Sequence, residues 1–291
     1  MNKPKTPVTV LLAVKNEQAN MERCLTALGP FERVVVLDSQ STDRTTEIAA
    51  RFGAEVVQFI HNGGYPKKRQ WALDNLEFKT QWVLLLDADE VVTPELHAEI
   101  ERAIGNPDGS VAFFIRKGFH FLGRRFRYGG FSHTAVLLVQ PGKARFEELI
   151  SFADDSLDME VHERVMVDGP VGSIDSSLIH EDFKGLEKYI DKHNRYSTWE
   201  ARLRYSSFTT GRYGKSTIRP KLFGNAQERR RWIKALIIRL PFEPWLWFFF
   251  HYVYKLGFLE GRAGLIASQI RKNYIAEVRA KIYELQLKDG N

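Results

Sequence analysis

The sequence predicts an α/β fold with a mostly parallel central sheet, followed by a C-terminal helical tail. Three observations predict it. Apolar runs of strand length alternate with segments of helical periodicity through the first hundred residues, polar and acidic residues close each run, and beyond residue 206 the composition shifts to Gly, Ser, Arg and large aromatics. Strand–helix alternation of this kind places parallel strands side by side with helices on both faces.

The elements follow in order. Val8–Val14 is a β-rich apolar run, and Met21, Cys24, Leu25 and Leu28 then recur at helical spacing. Val34–Leu37 reads as a second buried strand closed by Asp38-Ser39-Gln40-Ser41, and Ile48, Ala49 and Phe52 mark the next helix. Val56-Val57 gives a short third strand, Trp71–Leu73 lies in a helix, and residues 82–87 form the fourth strand. Thr93-Pro94-Glu95 reads as N-cap, proline in the first turn and an early acid. Strands are expected at Val111–Ile115 and Thr134–Val139, and a helix at Gly185–Tyr205, whose stripe of Leu186, Tyr189, Ile190, Tyr196, Trp199 and Leu203 suits packing. Three segments result: 1–110, 111–205, and a tail at 206–291 that opens with a mobile basic loop at 206–225.

Composition excludes little. In 291 residues, 44% hydrophobic and 27% charged fractions are those of a folded chain, and a net charge of +6 is modest. The lone Cys24 forms no intramolecular disulfide and falls in a helical core pattern. Met1–Pro7 is short and polar, with no signal-peptide pattern. No G-x-G-x-x-G follows the first strand and no G-x-x-x-x-G-K-[ST] occurs, which argues against a nicotinamide dehydrogenase and a P-loop NTPase.

The strand ends carry the chemistry. Lys15-Asn16-Glu17, Asp38-Ser39-Gln40-Ser41-Thr42-Asp43 and Asp87-Ala88-Asp89-Glu90 emerge where open α/β sheets bind ligands. Asp87 and Asp89 share a face of extended chain, and two carboxylates so close suit a divalent cation between them. Gly63-Gly64-Tyr65-Pro66-Lys67-Lys68-Arg69-Gln70 brings cations to a helix start, as an anionic diphosphate requires. Each piece also has a structural reading: Asp38 as a turn residue, Asp43 as a helix-start acid, Lys67–Arg69 as a solvated face. Together they compose a nucleotide-diphosphate site.

This set of motifs resembles the family 2 glycosyltransferases of the GT-A fold, the Rossmann-like fold of nucleotide-diphospho-sugar transferases. More closely it is similar to the bacterial lipopolysaccharide-core glucosyltransferase group, the WaaE-like branch, with Val161-His162-Glu163 and Leu178-Ile179-His180 extending the match. The resemblance implies an inverting, metal-dependent transfer, using Mg²⁺ or Mn²⁺, from a UDP-sugar (UDP-glucose by implication) to a lipid-linked saccharide. It assigns Glu17, Asp38, Ser41, Lys68, Arg69 and Asp87 to the nucleotide, and Asp89 and Asp87 to the metal, with His180 as a third ligand. The base deprotonating the acceptor hydroxyl falls to Glu163, with Asp155 next among Asp154, Asp158 and Glu160. Arg124, Arg125 and Arg127 meet acceptor phosphates or form a solvated loop, and Gly129-Gly130 is an acceptor-side loop or a turn.

The tail holds Arg229-Arg230-Arg231-Trp232 and then Pro241 to Phe250, rich in Trp and Phe. Trp245–Tyr254 is shorter than the roughly 20 residues of a membrane span, so a helix lying in the interface on anionic lipid is expected, against the alternative of a buried helix pair. That implies a cytoplasmic enzyme peripheral to the inner face of the cytoplasmic membrane. Two rivals stand beside this reading: a polyprenyl-phosphate glycosyltransferase, and a basic nucleic-acid- or membrane-binding scaffold without catalysis. Acids clustered at strand ends speak against nucleic acid.

Overall fold

The structure is a computed structural model and describes residues 4–148, 164–182, 184–210, 222–223 and 226–290. The chain divides into two compact units, one of residues 1–125, 132–147 and 151–185, the other of residues 126–131, 148–150 and 186–291.

The first unit is built on one mixed sheet. β1 (Thr6–Val14), β2 (Phe31–Asp38), β3 (Glu55–Gln58) and β4 (Trp82–Asp87) alternate with α1 (Gln18–Ala27), α2 (Thr45–Arg51) and α3 (Lys68–Asn75). They are followed by β5 (Glu90–Val91), α4 (Pro94–Gly105), β6 (Ala112–Phe121), β7 (Arg124–Arg125) and β8 (His133–Val139). β9 (Ala144–Phe146) pairs with β10 (Val165–Val167) in a separate ribbon, and β11 (Val171–His180) returns to the main sheet. The order is β3-β2-β1-β4-β8-β6-β11-β5, with β7 on β6.

The sheet is parallel from β3 to β4, as expected, but not mostly parallel throughout. β4–β8, β8–β6 and β11–β5 are antiparallel, while β6–β11 is parallel. Two successive reversals restore the direction of β4 in β6 and β11, so the carboxyl ends of β1, β2, β4 and β11 open on one edge. Register places Asp87 opposite Ala13 and Asp38 opposite Val14. With strands spaced by about 4.8 Å, Asp38 and Asp87 flank the end of β1 about 10 Å apart.

Both sheet faces are covered, which is why β1 and β4 read as nearly continuous apolar runs. Val10, Leu12, Leu84 and Leu86 pack with Met21, Cys24 and Leu25 of α1, Ile48 of α2, and Leu96 and Ile100 of α4. Leu11, Leu37, Val83 and Leu85 face the other way, onto Ala72 of α3 and Phe59. The Thr93 hydroxyl caps α4, accepting from the Leu96 amide at 3.2 Å.

The second unit is helical: α5 (Gly185–Thr210), α6 (Ala226–Ile237), α7 (Glu243–Phe249), a π-helical turn Phe250–Tyr254, a 3₁₀ turn Gly257–Glu260, and α8 (Gly261–Asp289). α5 belongs here because its inner face packs on α8: Ala201, Tyr196, Tyr205 and Phe208 meet Tyr274, Ile275, Val278 and Ile282. It runs past Tyr205 into the expected loop, where the Thr209 and Thr210 hydroxyls donate back to the carbonyls of Tyr205 (3.2 Å) and Ser206 (2.6 Å). Residues 211–221 and 224–225 of that loop lie outside the described residues. Residues 126–131 join the unit because the buried Glu260 carboxylate accepts the amides of Arg127 (2.6 Å) and Tyr128 (2.8 Å). Gly264 is required by close approach: a Cβ there would stand 2.0 Å from the Gly257 carbonyl oxygen.

A buried ion network fastens α5 to α7. Arg204, 2% exposed, donates to Glu200 (2.7 and 2.9 Å) and to both oxygens of the fully buried Glu243 (2.9 and 3.0 Å). Tyr274 donates to the other Glu200 oxygen at 2.5 Å, and Trp247 Nε1 to Glu243 at 3.3 Å. Arg204→Met removes the cation shared by two buried carboxylates, leaving Glu243 with Arg279 at 3.5 Å, and is expected to cost about 3 kcal/mol. The check is the urea midpoint of the unfolding transition followed by helical circular dichroism; a midpoint equal to that of the parent contradicts the network's role.

Candidate active site

The ends of β1 and β2 lock into each other. Asn16 and Gln40 take left-handed backbone conformations, φ 53° and 57°, and turn the chain sharply at both ends. The Asn16 amide donates to Ser41 Oγ, the Thr42 amide to Asn16 Oδ1 and the Glu17 amide to Thr45 Oγ1, each at 2.8 Å. Asp38, 1% exposed, organises this turn by accepting from the Ser41 amide (3.0 Å), the Ser41 hydroxyl and Gln58 Nε2 (3.1 Å). The turn role of Asp38 and Ser41 is therefore directly visible.

Glu17 accepts from Lys184 and, at 2.8 Å, from Asn20 Nδ2. Burial pushes its carboxyl above the usual range, and the Lys184 ammonium offsets only part of that rise. Lys184 carries no motif of its own, and its position is legible only once β11 is seen to end beside β5 and α1.

At the start of α3, Lys68 is fully buried and its Nζ donates to the Val14 carbonyl at 2.7 Å, closing the end of β1. Arg69, the next residue, reaches Asp87 Oδ1. Asp87 Oδ2 lies 3.3 Å from Lys117 Nζ of β6, and Lys117 is held in turn by Glu90 Oε1 at 2.5 Å. Glu90, fully buried, uses its second oxygen to accept the Asp87 amide at 3.0 Å. Burial would lower the Lys117 pKa, but Glu90 and Asp87 outweigh it and hold the ammonium protonated. Lys117 and the structural task of Glu90 escaped the sequence reading. Cys24, buried behind Asp87, has its thiol pKa pushed far up by burial and is inert core.

Asp89 stands beside His180, its Oδ2 lying 3.5 Å from Nε2. The backbone enforces this proximity: His180 pairs with Glu90 in the β11–β5 register, and the Glu181 amide donates to the Asp89 carbonyl at 2.9 Å. Glu17, Asp38, Ser41, Arg69, Asp87, Asp89 and His180 thus gather on one sheet edge. Glu163, Asp155, Asp154, Asp158 and Glu160 lie outside the described residues.

The model of glycosyl transferase family 2 matches residues 9–151, a span that contains these three parallel strand ends. The chain carries a family 2 glycosyltransferase domain. At full length the glycosyltransferase is similar to the lipopolysaccharide core biosynthesis glycosyltransferase LpsC of Rhizobium meliloti, at 24% identity over 97% of this chain and 93% of that one. An uncharacterized glycosyltransferase of Rickettsia bellii is 36% identical over 38% of this chain and 37% of its own. Glucosyl-3-phosphoglycerate synthase of Mycobacterium tuberculosis, solved with Mn²⁺, UDP-glucose and phosphoglyceric acid, overlaps 40% of this chain and 44% of its own at 23% identity. Its TM-score of 0.33 is too low to assign anything by.

For a glycosyltransferase, the donor set on this edge matters. Asp89 and His180 offer a hard oxygen and an imidazole nitrogen side by side, the ligand chemistry of a first-row divalent ion. Among the described residues, no three His, Cys, Asp or Glu side chains converge to enclose one. Asp89 and His180 would supply two ligands to such an ion.

His180 also supplies a pH signature. Burial alone would depress its pKa, but Asp89 and Glu90 reverse the sign and raise it above the ordinary 6.5. The pair therefore stabilises the fold fully below pH 6.5, and that contribution is lost as pH rises through the elevated value. In Asp89→Asn, burial is left as the main influence and the midpoint is expected to fall. Histidine ¹H–¹⁵N titration without divalent ions reads both, and an unmoved His180 midpoint contradicts the coupling.

Proposed function

We propose that this glycosyltransferase moves a hexose, glucose by the family resemblance, from a UDP-sugar to a hydroxyl of a lipid-linked saccharide of the lipopolysaccharide-core type, with inversion at the anomeric carbon. The observation that carries the reading is the likeness to LpsC across 97% of this chain, which extends beyond the donor-binding half into α5–α8. In this reading Glu17, Asp38, Ser41, Lys68 and Arg69 form the nucleotide pocket, and Arg69 faces the diphosphate. Asp89, with His180 and Asp87, would hold Mg²⁺ or Mn²⁺, which when bound supplies positive charge to the departing diphosphate. Glu163 takes the proton of the acceptor hydroxyl as that oxygen attacks the anomeric carbon, and Asp155 is the reserve for that role.

The second unit supports a place on the inner face of the membrane. Among the described residues, no helix is long and apolar enough to cross a bilayer. Yet Phe242 (68% exposed), Trp245 (51%), Phe249 (55%) and Tyr254 (73%) project from one short stretch. Lys272 lies 4.2 Å from the Trp245 ring centroid, and Lys255 lies 5.5 and 5.4 Å from those of Phe250 and Tyr254. Rings flanked by cations suit the headgroup level of anionic lipid. Trp247 does not share this exposure: it stacks on His251 and hydrogen-bonds Glu243, and so belongs to the core.

Two experiments test these assignments. Glu163→Gln is expected to lower transfer by about 10²–10⁴-fold while UDP affinity by calorimetry stays within about twofold of the parent. Retained transfer moves the base to Asp155. In liposome flotation, Trp245→Ser/Phe249→Ser is expected to lose binding to vesicles containing phosphatidylglycerol; flotation equal to the parent assigns the rings to protein packing.

A further inference from the structure

A cavity of about 420 Å³ opens in the helical unit between the end of α5, the stretch after α6 and the last turns of α8. Its lining is amphipathic. Phe208, Ile238, Ile282 and Tyr283 form the apolar part, with Ile238 and Ile282 buried in the floor. Arg239 and Arg279 supply the charge, and among the described residues no carboxylate lines the cavity. The two guanidiniums are held differently. Arg279 Nη1 donates to the Ile238 carbonyl at 3.2 Å and lies 3.5 Å from Glu243, whose oxygens both accept from Arg204. Arg239 is exposed to water, and among the described residues its side chain has no hydrogen bond or ion pair. The apolar character continues onto the surface, where Leu236, Leu240, Tyr283 and Leu287 are exposed. An inorganic anion has no use for such a floor, and a neutral hydrocarbon has none for two guanidiniums. A phosphodiester carrying alkyl chains meets both: Arg offers paired N–H donors to phosphate, and methylene groups gain by leaving water.

We propose that this cavity binds one anionic phospholipid, with its phosphate against Arg239 and Arg279 and the start of an acyl chain on Ile238 and Ile282. The site shares no residue with the donor edge or with the aromatic stretch from Phe242 to Tyr254, and it depends on neither. Those rings would hold any anionic interface, whereas the cavity takes a single headgroup in one-to-one proportion.

The test is calorimetric titration with short-chain probes below their micellar concentrations, so that no bilayer is present. Dihexanoylphosphatidylglycerol, dihexanoylphosphatidylcholine and glycerol 3-phosphate are compared on the parent and on Arg239→Glu, an exposed position whose substitution spares the packing. The parent is expected to bind phosphatidylglycerol one-to-one and at least about fivefold more tightly than phosphatidylcholine, and Arg239→Glu to lose about tenfold. Glycerol 3-phosphate, with no chains to bury, is expected to bind at least about tenfold more weakly. Amide hydrogen exchange with phosphatidylglycerol is expected to protect residues 236–240 and 279–286. Trp245→Ser/Phe249→Ser is expected to keep this affinity, so a failure of the bilayer reading and a failure of the cavity are told apart. Phosphatidylglycerol affinity unchanged in Arg239→Glu, or protection confined to residues 242–254, overturns the site. Glycerol 3-phosphate binding as tightly as the lipid overturns the amphiphile. A parent that sediments as a dimer without lipid and dissociates in Arg239→Glu gives the face to a second copy, and overturns the proposal too.

Discussion

Repulsion among carboxylates gathered on one edge of a parallel sheet is the constraint on which the first unit depends. Glu17, Asp87, Asp89 and Glu90 come from the end of β1, the end of β4, the turn that follows it and the start of β5. Each is matched by a positive or protonatable group from another element: Lys184 after β11, Arg69 on α3, His180 at the end of β11 and Lys117 on β6. The two reversals around β8 have a direct consequence here. They bring β6 and β11 back into the direction of β4, so Lys117 and His180 arrive where the acids need them.

The second unit solves a similar problem differently. Arg204 lies between Glu200 and Glu243 with nearly all donors used, so the charges are satisfied internally and ask for no ligand. What the unit leaves unsatisfied is apolar: the exposed rings of Phe242, Trp245, Phe249 and Tyr254. Polar demand in one unit and apolar demand in the other suit an enzyme with a nucleotide donor and a lipid-linked acceptor.

The parts legible in the sequence were those where a residue's neighbours along the chain decide its fate. β1, β2 and β4 are buried on both faces and so appear as apolar runs; the cap at Thr93 is local; Arg69 and Asp89 stand beside obvious turns. Strand direction beyond β4 was not legible, because the alternation in β6 and β8 is the same for either direction. Lys117, within Arg116-Lys117-Gly118, looks like a solvated cation until β6 is placed next to β11. Lys68 and Arg69 are adjacent and alike in charge, and only the approach of the Val14 carbonyl tells the one that closes β1 from the one facing Asp87. Trp245 and Trp247 are likewise separated by helical rotation, one to solvent and one onto Glu243.

The central claim, that the paired charges at these strand ends form the donor site, is tested most directly by amide hydrogen exchange with and without UDP plus Mn²⁺. The account predicts protection concentrated at residues 14–17, 38–45, 67–70 and 87–90, with little change in α8. Protection centred in α5–α8, or none at the strand ends under saturating UDP, would contradict it.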